Sequence, residues 1–478
     1  MDFRPELVIS ESFQFLVVAA LFFQSLLYKV VSIRMRSWLP WVAGLGVAVN
    51  LFCLNTQGTM FYGSYQVDQL SQYFKVIVAL GFFFASLNAT RQPTLPHEKR
   101  YDYFLFMALS AWGLMLMASA VELITIYLAL ELSSYSLYAI LPLRSKDRQA
   151  AEAGIKYILF GAVATALALY GFSYILATQH TSYLATLAIY TWTWADSPLA
   201  VVGLVLFLGG MLYKLALFPF HFWAPDVYQG ASNETAAFVA TLPKLGAMVV
   251  LIRLGALLTP GLEITHLLAI LAAVSMTWGN LGALAQRDVK RLLGYSTVAH
   301  AGYMIMGLMP GNAEGLAAAG FYALVYVLMN LTCFWVLSRV AADGRNLYLE
   351  DLNGLHRRSP AMALALAVGA FALVGLPPTG GFMGKLFLFT AAWGHGYDWL
   401  VIVAALNAAI SIYYYLNLVR HAYTQDQPGR EPAAQPEPRF SAFWAGALAL
   451  LLLFLGVLPG PAFNLALRAG EALLKLGG

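Results

Sequence analysis

Long apolar segments recur along almost the whole chain, and they constrain its fold more than any other feature. A helix needs about 20 apolar residues to cross a bilayer. Because lipid offers the backbone no hydrogen-bond partners, such segments fold as helices. The sequence therefore predicts an all-α integral membrane protein with about 14 transmembrane helices. The predicted spans lie near residues 12–30, 37–55, 72–90, 102–119, 121–143, 150–177, 198–218 with a continuation to 230, 234–257, 264–285, 295–310, 315–338, 361–392, 399–422 and 440–460.

Composition excludes several classes of protein. Only 11% of the residues are charged, against about 25% in soluble domains. The basic residues are scattered through short loops, so we do not expect nucleic-acid binding. The cysteines, Cys53 and Cys333, are too few for an iron–sulfur cluster or a structural zinc site. Without a P-loop, GxGxxG, GxSxG or HExxH motif in the sequence, we expect neither a cofactor nor a metal on this chain.

The distribution of lysine and arginine over the loops predicts the orientation. With both termini outside, the inner loops hold nineteen basic residues and the outer segments only three. Lys and Arg favour the cytoplasmic side, so the alternation supports fourteen spans with both ends outside. Lys75 and Arg253 fall close to the outer boundary, and we expect their side chains to extend towards the lipid headgroups.

Span 5 carries an acid at its centre. The segment "IYLALELSSYSLYAIL" places Glu131 in mid-membrane, followed by Ser133, Ser134 and Ser136. A charge at mid-bilayer costs roughly 2.5–3.5 kcal/mol even on lenient scales. This helix should therefore face protein and water. Glu131 is a candidate functional residue, although a structural ion pair between two helices would also explain it.

Two spans combine a lysine with helix breakers. "MLYKLALFPFHFWAPDVYQ" holds Lys214, followed by Pro219, His221 and a second proline, while "GLPPTGGFMGKLFLF" places its breakers before Lys385. Interrupted helices persist in membranes only where protein or water satisfies the freed backbone groups. Paired interrupted segments indicate an internal repeat with an ion pathway. Units made of spans 4–8 and 9–13 contain five helices each, an odd number that inverts the second unit.

Other titratable residues lie in or beside the spans. Lys244 follows Pro243 in a kinked helix, and His300 lies well inside span 10. Lys156 fits either an anchor at the boundary or a relay, and Lys290 either a loop charge or part of a site. His221 could transfer a proton or bind free carbonyl groups. Desolvation brings both lysine and glutamate pKa values towards neutrality, as reversible proton carriers require.

Four ordered motifs give the chain a resemblance to a known family. "IYLALELSSYSLYAIL", "FPFHFWAPDVYQGA", "KRLLGYSTVAHAGYM" and "GLPPTGGFMGKLFLF" resemble the antiporter-like membrane subunits of respiratory complex I, the bacterial NADH:quinone oxidoreductase, and within them the subunit N branch. Lys385 argues against the subunit M branch, which usually has glutamate there. One departure is "GASNETAAF", where the family commonly has "GAPTP"; it adds Asn233 and Glu234.

The resemblance implies a fold and a set of site residues. It implies fourteen transmembrane helices, two inverted five-helix repeats and discontinuous helices 7 and 12. The implied divisions are 1–100 for helices 1–3, 101–258 and 259–423 for the repeats, and 424–478 for a polar linker and helix 14. The implied proton-relay residues are Glu131, Lys214, Lys244 and Lys385, with Lys156, His300, Lys290 and His221 beside them.

The resemblance also implies a mechanism and partners. A proton would reach Lys214 or Lys244 from the inside, pass to Lys385 and leave outwards, while Glu131 tunes Lys214. NADH, FMN, iron–sulfur clusters and quinone would be held by partner subunits. Small subunits would lie on one side and another antiporter-like subunit on the other, with lipids around them, in the bacterial cytoplasmic membrane.

Three alternatives share most of these features. A subunit of a multisubunit Na⁺/H⁺ antiporter would use the same fold and charges without redox partners. A related quinone reductase could take electrons from ferredoxin. A scaffold without transport would tolerate apolar replacements of the buried lysines.

Overall fold

The structure is a computed structural model that describes residues 4–27, 35–144, 147–255, 263–425 and 439–477. Most of the described residues are helical, as predicted. The helices are α1 (Ile9–Leu27), α2 (Met35–Phe52), α3 (Gln69–Ala89), α4 (Arg100–Ser119), α5 (Leu123–Ile140), α6 (Arg148–Gln179), α7 (Leu184–Leu187), α8 (Pro198–Leu215), α9 (Trp223–Gly230), α10 (Asn233–Leu254), α11 (Glu263–Leu284), α12 (Val289–Met306), α13 (Ala313–Val340), α14 (Leu355–Arg358), α15 (Pro360–Val374), α16 (Gly380–Ala392), α17 (Asp398–Tyr423), α18 (Arg439–Val457) and α19 (Gly460–Gly477).

Twelve helices within these ranges are long and apolar enough to cross a membrane. Two predicted spans are absent from that set for visible reasons. Span 10 corresponds to α12, an 18-residue helix that carries Lys290, Arg291 and His300. Span 12 is divided between the shorter helices α15 and α16. The membrane fold is confirmed, whereas the number fourteen and the inverted repeat stay predictions.

Several helices begin where a polar side chain accepts a hydrogen bond from a backbone N–H group of the first turn. Such caps satisfy donors that the helix itself cannot pair. Asp68 accepts from the Ser71 N–H at 2.8 Å, and Glu122 accepts from the Thr125 N–H at 2.8 Å. The other caps of this kind in the described ranges are Asp147, Ser232, Asp288 and Asn312. The polar residues at these boundaries thus fix where the apolar helices start.

Both predicted interruptions are present. Helix α8 ends at Leu215, and Ala216 adopts a left-handed conformation (φ 62°) before the chain resumes as α9. Helix α15 ends in the same way at Gly375 (φ 87°), and α16 follows after two prolines. The interruptions lie where the proline-containing motifs placed them.

Helix α10 occupies the centre of the molecule. Every residue from Asn233 to Leu254 is buried. The helix packs against α3, α4, α8 and α13, and α13 is itself buried over most of its length. This enclosure allows α10 to carry Pro243, Lys244 and Glu234, because none of them faces lipid.

One arginine joins a loop of the first half of the sequence to a loop of the second half. The Arg144 guanidinium donates to the carbonyl groups of Gly230 and Ala231 at 3.3 and 3.2 Å. It also donates to Asn346 Oδ1 at 3.0 Å and to the Gly344 carbonyl at 3.2 Å. The segment before α10 is therefore attached to the loop after α13.

The predicted orientation of Lys75 and Arg253 towards headgroups is wrong. Lys75 is fully buried, and its Nζ lies 2.6 Å from Glu11 Oε1. Arg253 is 2% exposed and forms two hydrogen bonds with Asp68, at 2.8 and 3.0 Å. Each cation found a carboxylate on another element, so neither has to reach the membrane surface.

Several elements were not predicted, among them a short hairpin and the helix α19. Residues Gly58–Met60 (β1) and Tyr65–Val67 (β2) form a short antiparallel hairpin between α2 and α3. Helix α19 follows α18 and packs against α13 and α3. Part of the basic-residue count (Lys29, Arg34, Lys146 and Arg430) and most of the predicted linker lie outside the described residues.

Candidate functional site

Lys214 lies at the end of the first half of the interrupted span. It is 5% exposed, and its Nζ has no hydrogen-bond partner among the described residues. The surrounding groups are three aromatic rings, with centroids 5.4–5.6 Å from Nζ: Tyr138, Tyr157 and Tyr213. Such cation–π contacts stabilise an ammonium without fixing its proton to an acceptor.

Glu131 is close to this lysine but does not form a direct ion pair with it. The acid is 6% exposed, and its Oε1 accepts a hydrogen bond of 2.7 Å from Thr165 on α6. Within the described residues, none of the ion pairs shorter than 4 Å involves Glu131 or Lys214. The two charges can still influence each other, because a buried pair is weakly screened.

Lys244 lies on α10 beside the second half of the interrupted span. Its Nζ has no hydrogen-bond partner in the described part of the chain. It faces the rings of Trp223 and Tyr228, with centroids 5.1 and 5.7 Å away. The Trp223 indole N–H donates to the Tyr213 carbonyl at 2.9 Å, so one aromatic residue connects both lysine environments.

Hydroxyl groups continue from Lys244 towards the second half of the chain. Tyr228 donates to Thr297 Oγ1 at 3.3 Å, and Thr297 shares a hydrogen bond of 2.8 Å with the Tyr326 hydroxyl. Tyr326 in turn donates to the Ala240 carbonyl at 3.1 Å. Helices α9, α10, α12 and α13 are thereby linked by groups that both donate and accept.

His300 is the centre of the next group of side chains. Its Nδ1 lies 2.7 Å from the Tyr322 hydroxyl and its Nε2 3.1 Å from the Tyr415 hydroxyl. Tyr415 also hydrogen-bonds to Ser296. An imidazole with a hydroxyl at each nitrogen can accept a proton on one side and release one on the other.

Lys385 is held by the interruption that precedes it. Its Nζ donates to the carbonyl groups of Leu373 and Val374, at 3.1 and 2.8 Å. These are the last two residues of α15, whose final carbonyls lack partners within the helix. The ring of Tyr303 lies 4.5 Å from the same Nζ. Lys385 therefore differs from Lys214 and Lys244, because it has direct hydrogen-bond acceptors.

The three remaining predicted residues have contacts on other segments of the chain. Lys290 is 1% exposed and donates to the Ala231 carbonyl at 2.6 Å, so its interpretation as a loop charge is wrong. The half-exposed Lys156 side chain pairs with Glu152 and Asp226, at 2.7 and 2.6 Å, and its two predicted roles stay predictions. His221 is buried.

The His221 ring is surrounded by aromatic side chains. It stacks near Phe218 and Phe222, with centroids 5.5 and 4.2 Å away. Its Nδ1 has no hydrogen-bond partner in the described ranges. The ring also interacts with the backbone of Pro219, and both predicted roles of His221 stay predictions.

The lysines and the histidine were visible in the sequence, but the hydroxyl groups between them were missed. Tyr322, Tyr326 and Asn330 follow one another at four-residue intervals on α13, a spacing that places them on one helix face. This stripe of polar residues in an apolar helix was the available signal. In the described residues, the acidic, histidine and cysteine side chains form no group of three suited to a metal ion.

Comparison with known proteins places this site in a family. The family model described as "NADH:quinone oxidoreductase/Mrp antiporter, TM" matches residues 120–411, which is more than half of the chain. The chain belongs to this family. The match includes every predicted site residue of this NADH:quinone oxidoreductase/Mrp antiporter member, from Glu131 to Lys385.

Relatives of known name are similar over nearly the whole length. A protein of Solidesulfovibrio magneticus named NADH-quinone oxidoreductase subunit N 2 is 59% identical over 461 residues, which are 96% of this chain and 97% of that protein. A protein of the same name from Opitutus terrae is 43% identical over 472 residues, 97% of this chain and 96% of that one. The predicted membership in the antiporter-like complex I family, in its subunit N branch, is confirmed.

Solved structures agree with this assignment. A chain of respiratory complex I from Thermus thermophilus with bound aureothin has a TM-score of 0.83 and 34% identity, covering 95% of this chain and 98% of its own. A chain of the Mrp complex from Dietzia sp. has a TM-score of 0.88 at 18% identity, covering 99% and 98%. The second similarity concerns the fold alone.

Proposed function

We propose that this chain is a proton-translocating membrane-arm subunit of an NADH:quinone oxidoreductase. One observation carries the proposal beyond family membership. Buried titratable side chains and hydroxyl groups extend from Lys214 and Lys244, through Tyr326 and His300, to Lys385. Charged groups inside a membrane protein are expensive, and they typically mark ion pathways.

The contacts of the three lysines support different roles for them in proton transfer. Lys214 and Lys244 have only aromatic rings around Nζ among the described residues, so either amine can exchange a proton without breaking a hydrogen bond. His300 and its hydroxyl partners provide acceptors between the two halves. Lys385 donates to two carbonyls at the second interruption. In this proposal a proton enters at Lys214 or Lys244 and leaves outwards by way of Lys385.

Glu131 fits the role of a sensor for this path. It lies on α5, whose outer surface exposes Leu128 and Tyr135, and it contacts Thr165 on α6. Less than a third of the α6 membrane segment is buried within this chain, which leaves room for a neighbouring subunit or lipid. A charge displaced in that neighbour would change the proton affinity of Lys214 through Glu131.

The remaining parts of the proposal concern the assembly. NADH, FMN, iron–sulfur clusters and quinone would reside in partner subunits, with small subunits on one side and another antiporter-like subunit on the other. The two inverted five-helix units would be residues 101–258 and 259–423. Both termini would lie outside a bacterial cytoplasmic membrane, the orientation that the basic loops favour.

The test compares two lysine substitutions in the assembled complex in membrane vesicles. Lys214→Met should impair both NADH-driven proton uptake and coupled quinone reduction. Lys99→Met, a matched change at an exposed lysine just before α4, should leave both almost unchanged. NADH oxidation by a soluble electron acceptor would report assembly. Undiminished pumping with Lys214→Met would refute the proposal, and sodium uptake by the wild-type complex would favour the antiporter alternative.

A further inference from the structure

Glu234 is a buried acid that the path described above does not use. It is the second residue of α10 and is 2% exposed. Neither of its carboxylate oxygens has a well-formed hydrogen bond within the described residues, although the Ser232 hydroxyl and the backbone N–H of Glu234 itself interact with the carboxylate from the same turn. Burying such a group without partners costs free energy. The first turn of a helix stabilises a negative charge, which favours an acid at this position. It does not account for carboxylate oxygens without well-formed hydrogen bonds.

Two cations act on Glu234, and each donates to the backbone. Lys290 and Arg339 both interact electrostatically with the carboxylate. Lys290 donates to the Ala231 carbonyl at 2.6 Å, and Arg339 donates to the Leu87 carbonyl at 3.3 Å. The positive charges are thus fixed near Glu234 by other contacts, while its oxygens stay available to a proton or a water molecule.

The other groups around Glu234 are polar but neutral. Tyr103 on α4 hydrogen-bonds to Thr235 at 3.3 Å, and Gln92 donates to the Ser232 hydroxyl at 2.8 Å. Asn88 on α3 donates to Ser338 on α13 at 3.1 Å. Among the described residues, the titratable side chains that interact electrostatically with this carboxylate are Lys290, Arg339 and Tyr103. All these elements begin or end at the side where the basic loops lie.

Polar groups lead from Glu234 along α10 towards Lys244. The two residues are ten positions apart on one helix, which corresponds to about 15 Å. On α13, which packs against α10, Asn330 is fully buried, and its Oδ1 has no hydrogen-bond partner in the described ranges. The Tyr326 hydroxyl lies one turn further, against the Ala240 carbonyl. These groups would allow a proton to cross that distance in short steps, with water between them.

We propose that Glu234 is the residue at which protons from the inner side are loaded on their way to Lys244. The carboxylate takes a proton from water at the inner surface and then releases it to the neutral Lys244 amine, which restores the carboxylate. No bond other than O–H and N–H forms or breaks. This inference rests on the proposed function, because it requires Lys244 to carry protons.

The experiment uses the assembled complex in membrane vesicles with Glu234→Gln, Glu234→Asp and Lys244→Met. A positioned proton donor typically contributes about 10²–10⁴ in rate. We expect Glu234→Gln to lower proton uptake per assembled complex about tenfold or more, and Glu234→Asp to restore most of it. The matched control is Glu314→Gln, because Glu314 is an exposed acid in the first turn of α13, and it should have no effect.

A spectroscopic measurement separates proton loading from a structural role. Infrared difference spectra recorded during NADH turnover should contain the carbonyl stretch of a protonated carboxyl group, and Glu234→Gln should abolish that band while Glu314→Gln keeps it. Unchanged pumping and an unchanged band in Glu234→Gln would overturn this inference if Lys244→Met still stops pumping. Undiminished pumping with Lys244→Met would instead reject the proposed function of the path.

Discussion

Lys214 and Lys385 should respond in opposite ways to the same substitution, although both are buried lysines beside an interruption. Lys385 donates two hydrogen bonds to carbonyls, at 2.8 and 3.1 Å, and lies against the ring of Tyr303. Lys214 has only aromatic contacts among the described residues. The change to methionine removes the ammonium at each position and keeps most of the apolar stem.

The expected magnitudes follow from these contacts. A hydrogen bond from a charged group contributes about 1.5–3 kcal/mol net, so Lys385→Met should destabilise the protein by about 3 kcal/mol or more. At Lys214 the cation–π contacts contribute up to about 2 kcal/mol, against a desolvation penalty of several kcal/mol per buried ion. Lys214→Met should therefore be neutral or slightly stabilising. Both changes should stop pumping, so stability separates the two roles.

The assay is the rate at which heated, detergent-purified complex loses this subunit, followed on native gels. If the contact is already broken in the transition state for loss of the subunit, a difference of about 3 kcal/mol corresponds to about a hundredfold change in the rate of loss. The control is Leu386→Met, at the partly exposed position next to Lys385, which should behave like the wild type. Equal loss rates for Lys214→Met and Lys385→Met would refute the reasoning.

Two further predictions concern contacts away from the lysines and within the hydroxyl network. Burial alone would raise the pKa of Asp68, but the Arg253 charge and its hydrogen bonds lower it. Asp68→Ala should therefore cost about 3–5 kcal/mol, as breaking a buried pair does, and thermal unfolding would measure it. In the wild type, this pair should contribute its whole stabilisation above the ordinary Asp pKa of about 3.9, and the contribution should be lost as the pH falls through the lowered pKa of Asp68. A destabilisation by Asp68→Ala that is independent of pH between pH 3 and 7 would contradict this. Tyr322→Phe removes the hydroxyl group beside His300 Nδ1, and it should slow proton uptake. The amount of assembled complex, measured on native gels, should stay the same. Unchanged proton uptake would exclude this hydroxyl from the path.

The long apolar segments were sufficient to predict the membrane fold, and the prolines and glycines were sufficient to predict both interruptions. Prolines and glycines act on the backbone within a few residues, so their effect can be inferred locally. The buried lysines were also predictable, because a charge within an apolar segment stands out against its neighbours. Helix α19 could have been found from its amphipathic spacing, since its buried residues Ala466, Ala469, Gly470 and Leu473 lie three or four positions apart or next to each other.

What the sequence could not predict is which distant groups meet. Lys75 finds Glu11, and Arg253 finds Asp68 across 185 positions. Each pairing depends on how whole helices pack against each other. The local sequence around Lys75 or Arg253 is equally compatible with a contact to lipid headgroups. The same limit applies to the hydroxyl groups around His300, because Tyr322 and Tyr415 come from different helices.

The attachment made by Arg144 has a consequence for how energy reaches this subunit. A transporter that works by rocking opens a seam between its two bundles in every cycle. Here one guanidinium joins the segment before α10 to the loop after α13 through four acceptors, and these segments belong to the two predicted repeats. We expect the scaffold to stand still while water molecules and side-chain tips rearrange inside it. Quinone reduction elsewhere in the complex would then act on this chain by displacing charges, and not by moving its helices.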